Sequence, residues 1–101
     1  MIEGSVIELK MLKPILKGMK MDENVYTCRV ETYEAQEEKL YIETDAETIN
    51  KFQLDAKYRC TILSEDETIT CDGSIKERIQ DEEGNILLFW IERGFYKILS
   101  E

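Results

Sequence analysis

The sequence predicts an all-β fold: a small antiparallel split barrel of six or seven strands with one short helical turn. Three observations carry this. Short stretches alternate apolar and polar residues with a period of two, as half-buried strands do. Turn-forming clusters separate them roughly every ten residues, a spacing typical of barrels and sandwiches. One run, Ile86-Leu87-Leu88-Phe89-Trp90-Ile91, is apolar at six consecutive positions. As a strand it is apolar on both faces, so one face enters a core and the other needs cover from a second layer or another chain. Closing the sheet on itself also removes exposed edges.

Taken in order, residues 4–12 read as the first strand, with Val6 and Ile7 supplying β-branched character. Pro14 has no amide hydrogen, so regular pairing ends near it. Ile7, Met11, Ile15 and Met19 also fall four apart. Pro14 interrupts that helical spacing and Gly18 weakens it. A strand, an irregular turn and a short strand over 15–21 is the preferred reading, with partly helical structure over 4–21 as the alternative. Asp22-Glu23-Asn24 is a turn.

Residues 25–33 alternate, with Tyr26, Cys28 and Val30 on the inner parity. Residues 34–38 are polar and connect a hairpin to a strand over 39–43, where Leu40 and Ile42 face inward. In residues 44–52, Thr44 or Asp45 is placed to cap a short helical turn, and Ile49 and Phe52 share its face. Tyr58, Cys60 and Ile62 form the inner row of a strand over 57–64. Glu65-Asp66-Glu67 is an acidic hairpin tip. A long strand follows over 68–79, and Gly73 inside it predicts a bulge or bend. Residues 80–85 form a turn, with Gly84 and Asn85 able to take positive φ. After the apolar run, Gly94 permits a kink and residues 95–99 close the sheet.

The 101 residues suit a single domain, 1–101, with a modest core. The formal net charge is −9, which repels nucleic acid and anionic membranes as an average. The charge is uneven. Residues 1–21 hold four lysines and two acids, for +2, and the rest hold nine basic and 20 acidic residues, for −11. The basic opening lies against the acidic body or contacts something acidic. No apolar run approaches the length of a membrane span and no leader opens the chain, so neither membrane insertion nor export is expected.

Cys28, Cys60 and Cys71 are odd in number, far apart and without a Cys-x-x-Cys. They fit buried thiols in a reducing cytoplasm better than a disulfide framework. Histidine is absent, which removes the commonest general base and metal ligand. A nucleophile at Ser5, Ser64, Ser74 or Ser100 has no histidine partner. The densest acids, residues 65–67 and 81–83, lack the spacing of a calcium loop. No glycine pattern matches a phosphate loop. The expectation is no enzyme, no cofactor and no metal.

Three stretches carry a family resemblance: Tyr26-Thr27-Cys28-Arg29-Val30-Glu31, Lys39-Leu40-Tyr41-Ile42-Glu43 and Ala56-Lys57-Tyr58-Arg59-Cys60-Thr61-Ile62. With the short helical connection between them, residues 25–79 resemble the N-terminal domain of bacterial flagellar brake proteins of the PilZ class. The resemblance implies the split barrel. Members that bind cyclic di-GMP carry an Arg-x-x-x-Arg pair and a closely spaced Asp or Asn, Ser and Gly. Here Arg29, Arg59, Arg78 and Arg93 make no pair four apart, and Asp72-Gly73-Ser74 only echoes the second motif.

Two functions follow as expectations. The first is a non-catalytic binding or regulatory domain acting through protein contacts, as a homodimer or with another protein. Its interface is drawn from Leu88, Trp90, Arg93 and Tyr96, because exposed apolar strands with aromatic anchors mark interfaces. The second is a cyclic di-GMP sensor with a rearranged cationic site built from Arg29, Arg59, Lys76 and Arg78.

Overall fold

Strict alternation decides which side chains enter the barrel. The computed structural model describes residues 2–63 and 68–97. Six strands run β1 (Val6–Lys13), β2 (Val25–Glu34), β3 (Lys39–Thr44), β4 (Lys57–Leu63), β5 (Thr68–Asp81) and β6 (Gly84–Lys97), with one 3₁₀ turn at Ile49–Lys51. Every pairing is antiparallel, and the order β1-β2-β3-β6-β5-β4 closes on itself through β1 and β4. The fold is therefore the small all-β barrel that the patterning predicts, with six strands.

The inner rows meet in register. Ile7 lies opposite Cys28 on one side and Ile62 on the other. Leu40 faces Phe89, Ile42 faces Leu87, and Ile75 faces Phe89 from the far side. All are buried in one core. The apolar run sends Leu87, Phe89 and Ile91 into that core and leaves Trp90 outside. Phe52 plugs one side of the barrel, with its ring 4.8 Å from Tyr26 and 5.7 Å from Tyr58. The Tyr58 hydroxyl accepts the Gln53 amide at 3.0 Å.

Several expectations are corrected. Residues 15–19 form turns and bends and residues 20–21 are irregular, with no strand and no helix over 15–21. Apolar content there misleads; Pro14 and Gly18 decide, and the Leu16 carbonyl accepts the Met19 amide across a turn at 3.1 Å. Gly94 does not break the strand: β6 runs through it to Lys97, and Tyr96 and Lys97 pair with Thr70 and Ile69 of β5. Slips in the β5–β6 register absorb the twist instead, between Thr70 and Asp72, Asp72 and Gly73, and Ile75 and Glu77. Residues 98–99 and the acidic tip at 65–67 lie outside the described residues.

The helical connection shrinks to three residues. Thr48 stands at its N-terminal end without a side-chain cap, and the exposed Asp45 ahead of it accepts the Thr48 amide at 2.7 Å through its carboxylate, so neither Thr44 nor Asp45 is itself the cap. The last hairpin is tighter than expected. Asp81 pairs with Gly84 around Glu82 and Glu83, and its carboxylate accepts the amides of Glu83 at 2.8 Å and Gly84 at 3.2 Å. Asn85 is part of β6 and keeps negative φ.

Candidate functional site

The outer surface of β3, β6, β5 and β4 gathers the side chains with most to offer a partner. It is built around Trp90, the chain's one tryptophan. Trp90 pairs with Lys39 on β3 and Ser74 on β5. Its side chain is 44 % exposed, unusual for so large a ring in mid-sheet. The Lys39 and Lys76 ammonium groups each lie 5.4 Å from the ring centroid. Lys39 gets there by direct pairing. Lys76, two residues beyond Ser74 on the same face, is the extra residue of a bulge where the register slips between Ile75 and Glu77. Such cation–aromatic contacts are worth about 0.5–1 kcal/mol each at exposed sites. Lys76 also donates to Asp55 at 2.8 Å, and Lys39 lies 3.7 Å from Glu37.

Leu88 sits two residues earlier, opposite Tyr41. It is 7 % exposed yet lies outside the main core, as apolar filling of the outer face. An open cleft of about 440 Å³ adjoins Trp90, with Glu37, Glu38 and Glu92 in its lining.

Next along β6, Glu92 is the extra residue between Arg93, opposite Asp72, and Ile91, opposite Gly73. Its carboxylate pairs with the Lys57 ammonium and accepts the Ser74 hydroxyl at 3.0 Å; Lys57 also donates to Ser74 at 3.2 Å. Burial pushes the Glu92 carboxyl up, but bonds from Lys57 and Ser74 outweigh it and the net shift is downward. Ser74 is completely buried and spends its proton on Glu92.

A second cationic–aromatic group surrounds Tyr96. Arg93 stacks 4.5 Å from its ring centroid and Arg59 lies 5.9 Å away. Arg59 forks onto Asp72 at 2.9 and 3.3 Å, and the Tyr96 hydroxyl donates to the same carboxylate at 3.1 Å. Burial raises the Asp72 carboxyl; the bonds from Arg59 and Tyr96 reverse that and leave it lowered. The bond to Asp72 raises the Arg59 guanidinium.

The four interface residues named from sequence thus fall into two groups on one strand. Leu88 and Trp90 belong to the first, Arg93 and Tyr96 to the second. Six residues separate the two aromatics, about 20 Å along a strand. The four cationic candidates do not converge. Arg29, on β2, donates to the Gly4 carbonyl at 2.7 Å, and Arg78 donates to the Phe52 carbonyl at 2.9 Å. Arg59 is held by Asp72 and Lys76 by Asp55. On β1 the partners of Arg29 and Arg59 are Val6 and Lys10, four residues apart, or about 13 Å along the strand.

Sequence reasoning missed Lys39, Lys57 and Glu92, and weighed Asp72 and Ser74 only to set them aside. Their outward parity was legible; the bulges at Lys76 and Glu92 were not. Among the described residues, no group of three or more Cys, Asp or Glu is arranged to hold a metal ion, and no helix is long and apolar enough to cross a membrane. Searches against family models, curated proteins and solved structures found no significant match.

Proposed function

We infer that this chain is a non-catalytic binding domain, a PilZ-like barrel lacking the cyclic di-GMP motifs, that works by protein contact through the outer face of β6 and pairs with a second copy of itself. The observation that carries this is Trp90, half-exposed between Lys39 and Lys76 and beside the apolar Leu88. A large ring held by its neighbours loses little freedom on binding, which is why tryptophan anchors interfaces. A twofold axis through this face lets each copy present the same patch to the other. The polar groups around it are already bonded within the chain, which suits contact and not turnover. Three buried free thiols suit a reducing cytoplasm.

The test is the solution mass across a concentration series, for the parent and for Trp90→Glu. The expected outcome is a concentration-dependent dimer, with the variant folded and monomeric. A mass that stays at 11.9 kDa up to high micromolar concentration overturns the reading. Calorimetry with cyclic di-GMP separates the sensor alternative, for which heat of binding lost in Arg59→Ala is the required result.

A further inference from the structure

We propose that the loop joining β1 to β2 docks the domain onto an anionic lipid surface. This goes beyond the Trp90 reading and uses different strands. Of the eight large apolar side chains exposed among the described residues, six lie on this loop and the strand ends that carry it: Leu12, Ile15, Leu16, Met19, Met21 and Val25. Buried aliphatic surface is the norm for a soluble barrel, and so much of the exception in one place marks a contact element.

The charge of the end of β1 and the first part of the loop points to the chemistry of the occupant. From Leu9 to Met21 the chain has four lysines and no acid, while the remaining nine basic and 22 acidic residues sum to −13. Lys10, Lys13, Lys17 and Lys20 are all exposed, and none makes an ion pair among the described residues. Lysines alternating with aliphatic side chains can leave their ammonium groups at lipid phosphates while their stems and neighbours enter the headgroup layer. The loop has no aromatic residue, so the contact is shallow and reversible.

The loop is also shaped to present these side chains. Gly18 takes a φ of 92° at the third position of the Leu16–Met19 turn, the hallmark of a type II turn. Leu16, the first residue of this turn, is 64 % exposed. At the loop's return, the Asp22 carboxylate accepts the Asn24 amide at 3.0 Å, its side-chain nitrogen at 2.9 Å, and the Tyr26 hydroxyl. Tyr26 rests on the buried Phe52. Asp22 is thus turned back on the barrel, which leaves Glu23 as the one exposed acid on the loop itself.

The acidic body does not forbid the contact. The screening length is about 8 Å at physiological ionic strength, and the molecule measures 36 × 32 × 25 Å. Most of its acids therefore lie beyond electrostatic reach of a surface touched by the loop alone. The net charge predicts repulsion as an average; its distribution reverses the sign locally.

Flotation with vesicles tests this, using phosphatidylcholine alone and phosphatidylcholine with about 30 % phosphatidylserine. Expected are binding to the serine-lipid vesicles only, and a loss of about tenfold or more when salt is raised from low to physiological strength. Ile15→Asp with Leu16→Asp should abolish binding, and Lys17→Gln with Lys20→Gln should weaken it. These positions are exposed, so both variants should keep the parent's Tm. Trp90→Glu should float like the parent, which separates this result from the fate of the dimer reading. No flotation at low salt overturns the proposal. So does unchanged flotation of the Ile15→Asp, Leu16→Asp variant, since that change both removes the aliphatic anchors and adds two negative charges. If soluble polyglutamate binds the parent as tightly as the vesicles do, and the aspartate variant loses that too, the occupant is an acidic protein surface and the lipid assignment falls.

Discussion

Gly73 and Trp90 approach so closely that a Cβ at position 73 would lie 2.0 Å from the Trp90 carbonyl oxygen and 3.0 Å from the Phe89 ring. The contact ties the exposed tryptophan's backbone to the core, where Gly73 is buried between Cys71 and Ile75. Gly73→Ala must push β5 and β6 apart. Overpacking of this kind costs about 1–3 kcal/mol. The expected result is a lower urea midpoint and altered Trp90 fluorescence before unfolding. A variant as stable as the parent would show that the strands separate without cost.

Asp72 sets part of the acid limb of stability. Its folded carboxyl is lowered because the bonds from Arg59 and Tyr96 outweigh the effect of burial. The folded state therefore binds fewer protons than the unfolded chain, whose aspartates titrate near about 3.9. That contribution is complete above the unfolded value and is lost as pH falls through the lowered folded one. Asp22 and Glu92 are lowered in the same sense. Asp72→Asn should flatten the fall in urea midpoint below about pH 4. Equal slopes in variant and parent would assign the acid limb to other groups.

The three thiols should be silent in the native state. Cys60 and Cys71 lie directly opposite each other on β4 and β5 with no exposure, and Cys28 is nearly as deep. The bond to Cys71 and then burial push the Cys60 thiol well up, and burial raises Cys28. Thiolate is the reactive form. A disulfide reagent at mildly alkaline pH should therefore titrate none in native protein and all three after denaturation. Rapid native reaction would mean that the barrel opens locally.

Tyr58→Phe tests the plug over the barrel. The change leaves the Gln53 amide without its hydroxyl acceptor while preserving the stack on Phe52. Loss of one partly buried hydrogen bond predicts about 1 kcal/mol less stability. An unchanged midpoint would mean that water replaces the hydroxyl.

The barrel was readable because its strands obey a period of two: Leu40 and Ile42, Tyr58, Cys60 and Ile62, and Leu87 and Phe89 all enter the core as their parity requires. The loop at 15–21 was not, since Ile15, Leu16, Met19 and Met21 look like strand or helix residues until Pro14 and Gly18 are given precedence. For the Trp90 site, the tryptophan was visible but its cations were not. Lys39 and Lys76 come from strands on either side, and Lys76 sits in a bulge. Pairing partners and bulges are properties of the closed ring, which no local stretch encodes. The same holds for Asp72, which Arg59 and Tyr96 reach from two neighbouring strands.

Ring closure has a consequence for how the chain comes into being. β6, the sixth strand, is the only bridge between β3 and β5. Until it is made, the five earlier strands can form at most an open ribbon, β3-β2-β1-β4-β5, whose end strands lack a neighbour. The barrel therefore cannot assemble piecewise from its N-terminal side. Its folding awaits residue 97 and then proceeds through pairings distant in sequence, a slow class of reaction. In that interval the emerging chain is at its most prone to aggregate, and a chaperone would find its binding site on the uncovered edges of β3 and β5.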